Sequence, residues 1–218
     1  MNKQASTAMW TAGAVAAALL LGACGSGDDS QDEIKGAGDS KPSKSAPASD
    51  SKSSAPRGDE RPQYKLAEDA KNVFEDTKTG DPKKDEVVAD NQRRINLTDR
   101  IVTTGKDADD LKLYAKGQAF IAASKYISTY ADDDYSWAGT ARYYNHEVEF
   151  LNGATAKITY CVDDSKANDK NLKTGKVERY DSGDGRDTLE TSTVRRSKDK
   201  IWQSYSSRTK REAEECER

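Results

Sequence analysis

Tyr144–Val162 reads YNHEVEFLNGATAKITYCV. Its first half alternates, with Tyr144, His146, Val148 and Phe150 separated by polar residues, as a strand with one buried face requires. Asn152-Gly153 then supplies the two-residue turn that lets a right-twisted strand reverse. The second half places Ala154, Ala156, Ile158, Tyr160 and Val162 on one face and Cys161 on the other. This hairpin fixes antiparallel sheet as part of the fold.

Upstream of it the apolar period is longer. Leu66, Ala70, Val73, Phe74 and Thr77 predict an amphipathic helix. Gly80-Asp81-Pro82 ends that segment and opens another, with Asp81 as N-cap and Pro82 at the first helical position. This second helix carries Val87, Val88, Ile95, Ile101 and Val102, and Gly105 stops it. A third apolar segment runs from Leu111 to Tyr130, with Gly117 marking a turn before a helix from Gln118. Downstream of the hairpin, Asp163 to Arg186 reads as a wide polar loop with a short strand near Val177. A second hairpin joins Thr188–Ser197 to Ile201–Arg208 through Lys198-Asp199-Lys200, and a charged tail follows. Helices first and strands second predict an α+β fold, with N-terminal helices packed on a curved antiparallel sheet.

The segments before Tyr64 have a different character. Ala8–Leu21 is an apolar run too short to span a bilayer, preceded by Lys3. It ends in Leu21-Gly22-Ala23-Cys24, which resembles the lipobox of bacterial lipoproteins. That resemblance implies cleavage before Cys24, diacylglyceryl transfer to its thiol, and anchorage outside the cytoplasmic membrane. Two acyl chains anchor stably where one does not. Residues 24–62 are rich in Ser, Asp, Lys, Gly and Pro, with Ile34 as the sole large apolar side chain. Such a segment cannot bury enough surface to offset its conformational entropy. It reads as a disordered tether with an end-to-end distance of roughly 35 Å. The chain thus divides into a signal peptide (1–23), a tether (24–62) and one α+β domain (63–218).

Composition excludes several function classes. The 218 residues are 33% charged with a net charge of -3, and basic pairs such as Arg195-Arg196 are set among acidic residues. No basic face for nucleic acid is legible. His146 is the single histidine and no CxxC pair exists, so no metal site or cofactor is expected. Asp132-Asp133-Asp134 reads as a solvated helix end. Asp181–Asp187 lacks the ligand spacing of a calcium loop. No catalytic residue stands out.

Tyr160-Cys161-Val162-Asp163-Asp164-Ser165-Lys166, Thr174-Gly175-Lys176, the last hairpin with Trp202, the terminal cysteine and Leu113–Phe120 together resemble secreted actinobacterial lipoproteins of the nuclear-transport-factor-2-like, or cone-fold, group. The last strand departs from that pattern at Ser204 and Ser206. The resemblance implies a sheet wrapped around helices with a pocket at its open end, and no single activity. In such a pocket Asp163, Tyr160 and His146 would be the candidates for acid–base work, although a structural or surface role for His146 is the plainer reading. The partners expected are the membrane, through the lipid, and an envelope protein or small ligand. Two functions remain open: a non-catalytic binding domain, or a small extracytoplasmic isomerase or hydro-lyase. With Cys24 consumed by lipid, Cys161 and Cys216 are left in the exported domain. They either stay free or form a disulfide, a pairing that the resemblance also implies. Closing that loop would restrict the unfolded chain by roughly 4 kcal/mol.

Overall fold

Asp81 and Gly105 bracket the longest of the described helices, α1 (Pro82–Thr104), as the sequence reading expects. In the computed structural model, which describes residues 61–179 and 187–216, the Asp81 carboxylate accepts the Lys83 N–H at 2.8 Å. Gly105 adopts the left-handed conformation that closes the last turn. A one-turn helix α2 (Leu111–Tyr114) and then α3 (Gly117–Ala131) follow, broken at Gly117 where φ is positive. The signal peptide, the lipobox Leu21, Gly22, Ala23 and Cys24, most of the tether and most of Asp181–Asp187 lie outside the described residues. None of the described helices is long and apolar enough to cross a membrane.

The strands are β1 (Ala70–Phe74), β2 (Tyr135–Asn152), β3 (Thr155–Asn171), β4 (Val177–Glu178), β5 (Thr188–Arg196) and β6 (Trp202–Lys210). They form one curved sheet in the order β1-β2-β3-β5-β6, with β4 on β3. Helices α1 and α3 pack against it, giving an α+β architecture of helices on a curved sheet. Both expected hairpins are present, at Asn152-Gly153 and at Lys198–Lys200.

Three expectations need correction. Residues 64–77 are not a helix: a turn at Glu68-Asp69 leads into β1, which pairs in parallel with Gly139–Tyr143. The sheet is therefore mixed rather than antiparallel, and a strand precedes the helices. The spacing of Leu66, Ala70 and Phe74 is four residues, which suits one helix face and equally a period-two strand face. Ala70, Asn72 and Phe74 point the same way, and Phe74 stacks on Tyr143 with centroids 4.9 Å apart. Second, Asp163–Asn171 is not a loop. It continues β3, because β2 extends back to Tyr135 and supplies the pairing partners. Gly139 makes this possible: a Cβ there would lie 2.0 Å from the Lys166 carbonyl oxygen. Third, Tyr144 and His146 do not share a face. Asn145 has φ 50° and sits in a bulge where the register jumps from Tyr144↔Cys161 to Glu147↔Thr159. His146 consequently stacks on Tyr160, whereas Tyr144 joins Cys161 on the opposite face.

That opposite face is closed by the chain's tail. Cys161 and Cys216 are disulfide-bonded, with Cα atoms 5.7 Å apart. Tyr144, Cys161, Ala213 and Cys216 make a small buried cluster, and the Tyr144 hydroxyl donates to the Cys216 carbonyl at 2.8 Å. The other face holds the main core, including Val87, Val88, Ile95, Val102, Ile158 and Trp202.

The domain starts earlier than its composition suggests. Arg61, placed by the sequence reading in the tether, is buried and paired with Asp90 of α1. Its second guanidinium nitrogen donates to the Lys200 carbonyl at 2.9 Å. Asp90 is fully buried, and also accepts from Arg93 at 3.2 Å and from the Trp202 N–H at 2.9 Å.

Candidate functional site

A cavity of about 680 Å³ lies between α1, α3 and the cored face of the sheet. Its size falls in the range of small-molecule sites, which run from about 300 to 1,000 Å³. Helix α3 leaves room for it because the side chains it buries, Ala119 and Ala123, are small. Alternation along β3 turns Tyr160, Val162 and Asp164 toward the cavity, and Ala167 and Asp169 line it further along.

Asp99 is the buried acid of this cavity. It stands on α1 between Ile95 and Val102, in the register of the apolar stripe, and is 5% exposed. Its Oδ2 accepts from the Asn72 side-chain amide at 2.7 Å and from the Tyr143 hydroxyl at 3.4 Å. Strand β1 therefore delivers one donor and β2 the other. Burial pushes the carboxyl up to about 6, outweighing these hydrogen bonds and the field of Arg94. Burial likewise raises the Tyr143 hydroxyl well above its ordinary value. Asp99 can thus change protonation close to neutral pH beside a phenol that stays neutral.

The remaining polar groups are partly tied down. Arg94 donates to the Tyr160 hydroxyl at 3.0 Å and to Asn91 Oδ1. Glu190 accepts from Thr209, and burial raises its carboxyl above the usual range. Tyr126 and Tyr130 meet edge to face with centroids 5.3 Å apart, and burial pushes the Tyr130 hydroxyl up to about 12.

Of the three acid–base candidates expected from sequence, Tyr160 alone lines the cavity. His146 is 8% exposed and stacks on Tyr160, 5.7 Å away. Burial holds its imidazole below the ordinary value. Asp163 belongs to a cluster of ion pairs. Arg142 bridges it at 3.1 Å to Glu75 at 2.8 Å. Although partial burial pushes the other way, the bonds from Ser165 and Arg142 keep Asp163 below the usual carboxylate value. The structure does not bring these three residues together as a catalytic set. Asp99, Asn72 and Tyr143 were missed, yet one signal was readable: a carboxylate at i+4 from Ile95 and i−3 from Val102 occupies a core position of its helix.

No protein-family model matches the chain, and no curated protein is significantly similar to it in sequence. Among solved structures, it is similar to a ketosteroid isomerase-like protein from Erwinia carotovora atroseptica (12% identity, 61% of this chain, 98% of that one, TM-score 0.43). It is also similar to the intermembrane-space region of the chloroplast protein ARC6 (10%, 59% and 95%, TM-score 0.42). A further match is an NTF-2 like protein of unknown function from Shewanella oneidensis (13%, 55% and 95%, TM-score 0.35). At these identities and scores the likeness is one of chain path, and no chemistry is carried across from it.

Proposed function

We propose that this chain is an envelope lipoprotein, diacylated at Cys24, whose tethered domain binds a small molecule in the cavity between α1, α3 and the sheet. The carrying observation is the cavity itself. It is large enough for an organic ligand, is walled by aromatic rings, and has buried polar groups converging on it. The lipobox Leu21-Gly22-Ala23-Cys24 supports the anchor, and the composition of residues 24–62 supports a tether that holds the domain off the membrane.

Two experiments test the halves separately. Labelled palmitate is expected to enter the wild type and not Cys24→Ser; equal labelling of both sinks the anchor. Native mass spectrometry of protein released gently from envelopes is expected to show a bound small molecule. The mass excess should vanish in Ala123→Trp, which puts a large side chain at a buried position of the cavity wall. An excess that survives in that variant places the ligand elsewhere.

A second reading has one observation in its favour. Asp99, raised to about 6 and backed by Tyr143, is suited to accept and return a proton. In a small isomerase or hydro-lyase, Asp99 would move the proton while Tyr143 steadies the carboxylate. Turnover lost in Asp99→Asn with ligand binding retained supports this reading. Unchanged turnover removes it.

A further inference from the structure

The walls of the cavity carry information about the charge of its ligand. Five aromatic rings line it: Tyr126, Tyr130, Trp137, Tyr143 and Tyr160. They come from α3, β2 and β3. The charged residues in the same wall are unevenly divided. Asp99, Asp164, Asp169, Glu190 and Glu212 face two guanidiniums, those of Arg94 and Arg211. Arg94 is hydrogen-bonded to Tyr160 and Asn91, both neutral, and its charge acts on Asp99 and Glu190, which leaves the cation's place at the Asp164 and Asp169 end.

These features act in the same direction. The face of an aromatic ring is the negative end of its quadrupole and attracts a cation, at partly exposed rings such as Tyr126 as well as in buried ones. Carboxylates beside such faces deepen the negative potential, which repels an anion and gives a neutral molecule no advantage. Burial makes Asp99 and Glu190 costly to ionise even with Arg94 in the same wall, and a bound cation would offset part of that cost. A bare metal ion does not suit the space. Among the described residues no three potential ligands converge on one point, and 680 Å³ far exceeds what an ion fills.

We propose that the cavity takes an organic cation, an amine or quaternary ammonium group carried on an apolar body. This rests on the reading that the cavity is a ligand site, and it names the ligand's class. The ammonium group lies beside the Tyr126 and Tyr130 rings, with the carboxylates of Asp164 and Asp169 near it. The apolar body lies along Ala119, Ala122 and Ala123 of α3.

The test is isothermal titration of the purified full chain, at low ionic strength, with benzyltrimethylammonium, benzyl alcohol and benzoate. The cation is expected to bind at least about tenfold tighter than the alcohol, a factor that corresponds to about 1.4 kcal/mol. Benzoate is expected not to bind. Tyr126→Phe keeps the ring and should keep the affinity, whereas Tyr126→Leu should lose about tenfold. Asp164→Asn, at an exposed position, should weaken binding and flatten its salt dependence. Equal affinity for benzyl alcohol overturns the cationic class and leaves the cavity a binding site. Binding of the cation that is indifferent to Tyr126→Leu puts it on the outer surface and also overturns the proposal. If none of the three probes binds, the cavity reading falls with it.

Discussion

Two carboxylates on α1, Asp90 and Asp99, are both buried, and they are held in opposite ways. Asp90 meets two guanidiniums and a backbone N–H, so its charge is compensated by charge. Asp99 meets an amide and a phenol, both neutral, and it faces a cavity. The first arrangement makes a clamp that ties the domain's entry at Arg61 to the last hairpin. The second makes a carboxyl that still titrates in the physiological range. Burial alone therefore does not decide whether an acid still titrates near neutral pH; the nature of the donors does.

The largest effect is expected where charge is matched by charge. Asp90→Ala leaves Arg61 buried without its partner, and losses of this kind cost about 3–5 kcal/mol. Urea unfolding checks it. A loss under about 1 kcal/mol would mean that water or another group takes the place of Asp90. Cys216→Ser comes next. It frees the tail from the sheet face opposite the cavity, and a loss of about 2–4 kcal/mol is expected, seen as a lower melting temperature. Arg211 and Glu212 at the start of this tail line the cavity, so binding there should weaken along with the fall in melting temperature.

Asp99→Asn should act through pH. Its carboxyl rises from 3.8 to about 6 on folding, so the folded chain holds this proton more tightly than the unfolded chain does. Stability from this group is fully present below about pH 4 and is lost as pH climbs through about 6. At 1.36 kcal/mol per pH unit the loss is about 3 kcal/mol. Asp99→Asn removes that slope. The variant should match the wild type near pH 4 and exceed it above pH 6, as denaturation at both pH values would show. Equal pH slopes in the two proteins would refute the assignment. The smallest effect is expected for Tyr143→Phe. It removes one hydrogen bond to the ionised form, worth about 1 kcal/mol, and should move the Asp99 midpoint further up. A downward movement would show that Tyr143 does not donate to the carboxylate.

How much of this was legible in sequence depended on whether the signal was local. The ends of α1 were readable because capping acts within a few residues: Asp81, Pro82 and Gly105 each do locally what their chemistry favours. The turn at Asn152-Gly153 was readable for the same reason. β1 was not, because a spacing of four satisfies both periods, and its parallel pairing with β2 is a tertiary fact. Asp163–Asn171 was misread because its polar residues suit a loop equally well; they form a strand because Tyr135–Arg142 lies alongside. The bulge at Asn145 turned His146 and Tyr144 apart, and no pattern in the neighbouring residues announced it. The site suffered most from these gaps. Asn72 and Tyr143 reach Asp99 only through the β1–β2 pairing, so their convergence could not be read from residues far apart in the chain.

A carbon-13 NMR titration of the Asp99 side-chain carboxyl in the folded protein, assigned by its loss in Asp99→Asn, tests most directly whether this acid is buried among neutral donors. A midpoint near 6 is the expected result, as burial at the cavity wall with neutral donors requires. A midpoint at the ordinary 3.8 would contradict it, by showing a carboxyl that water reaches freely.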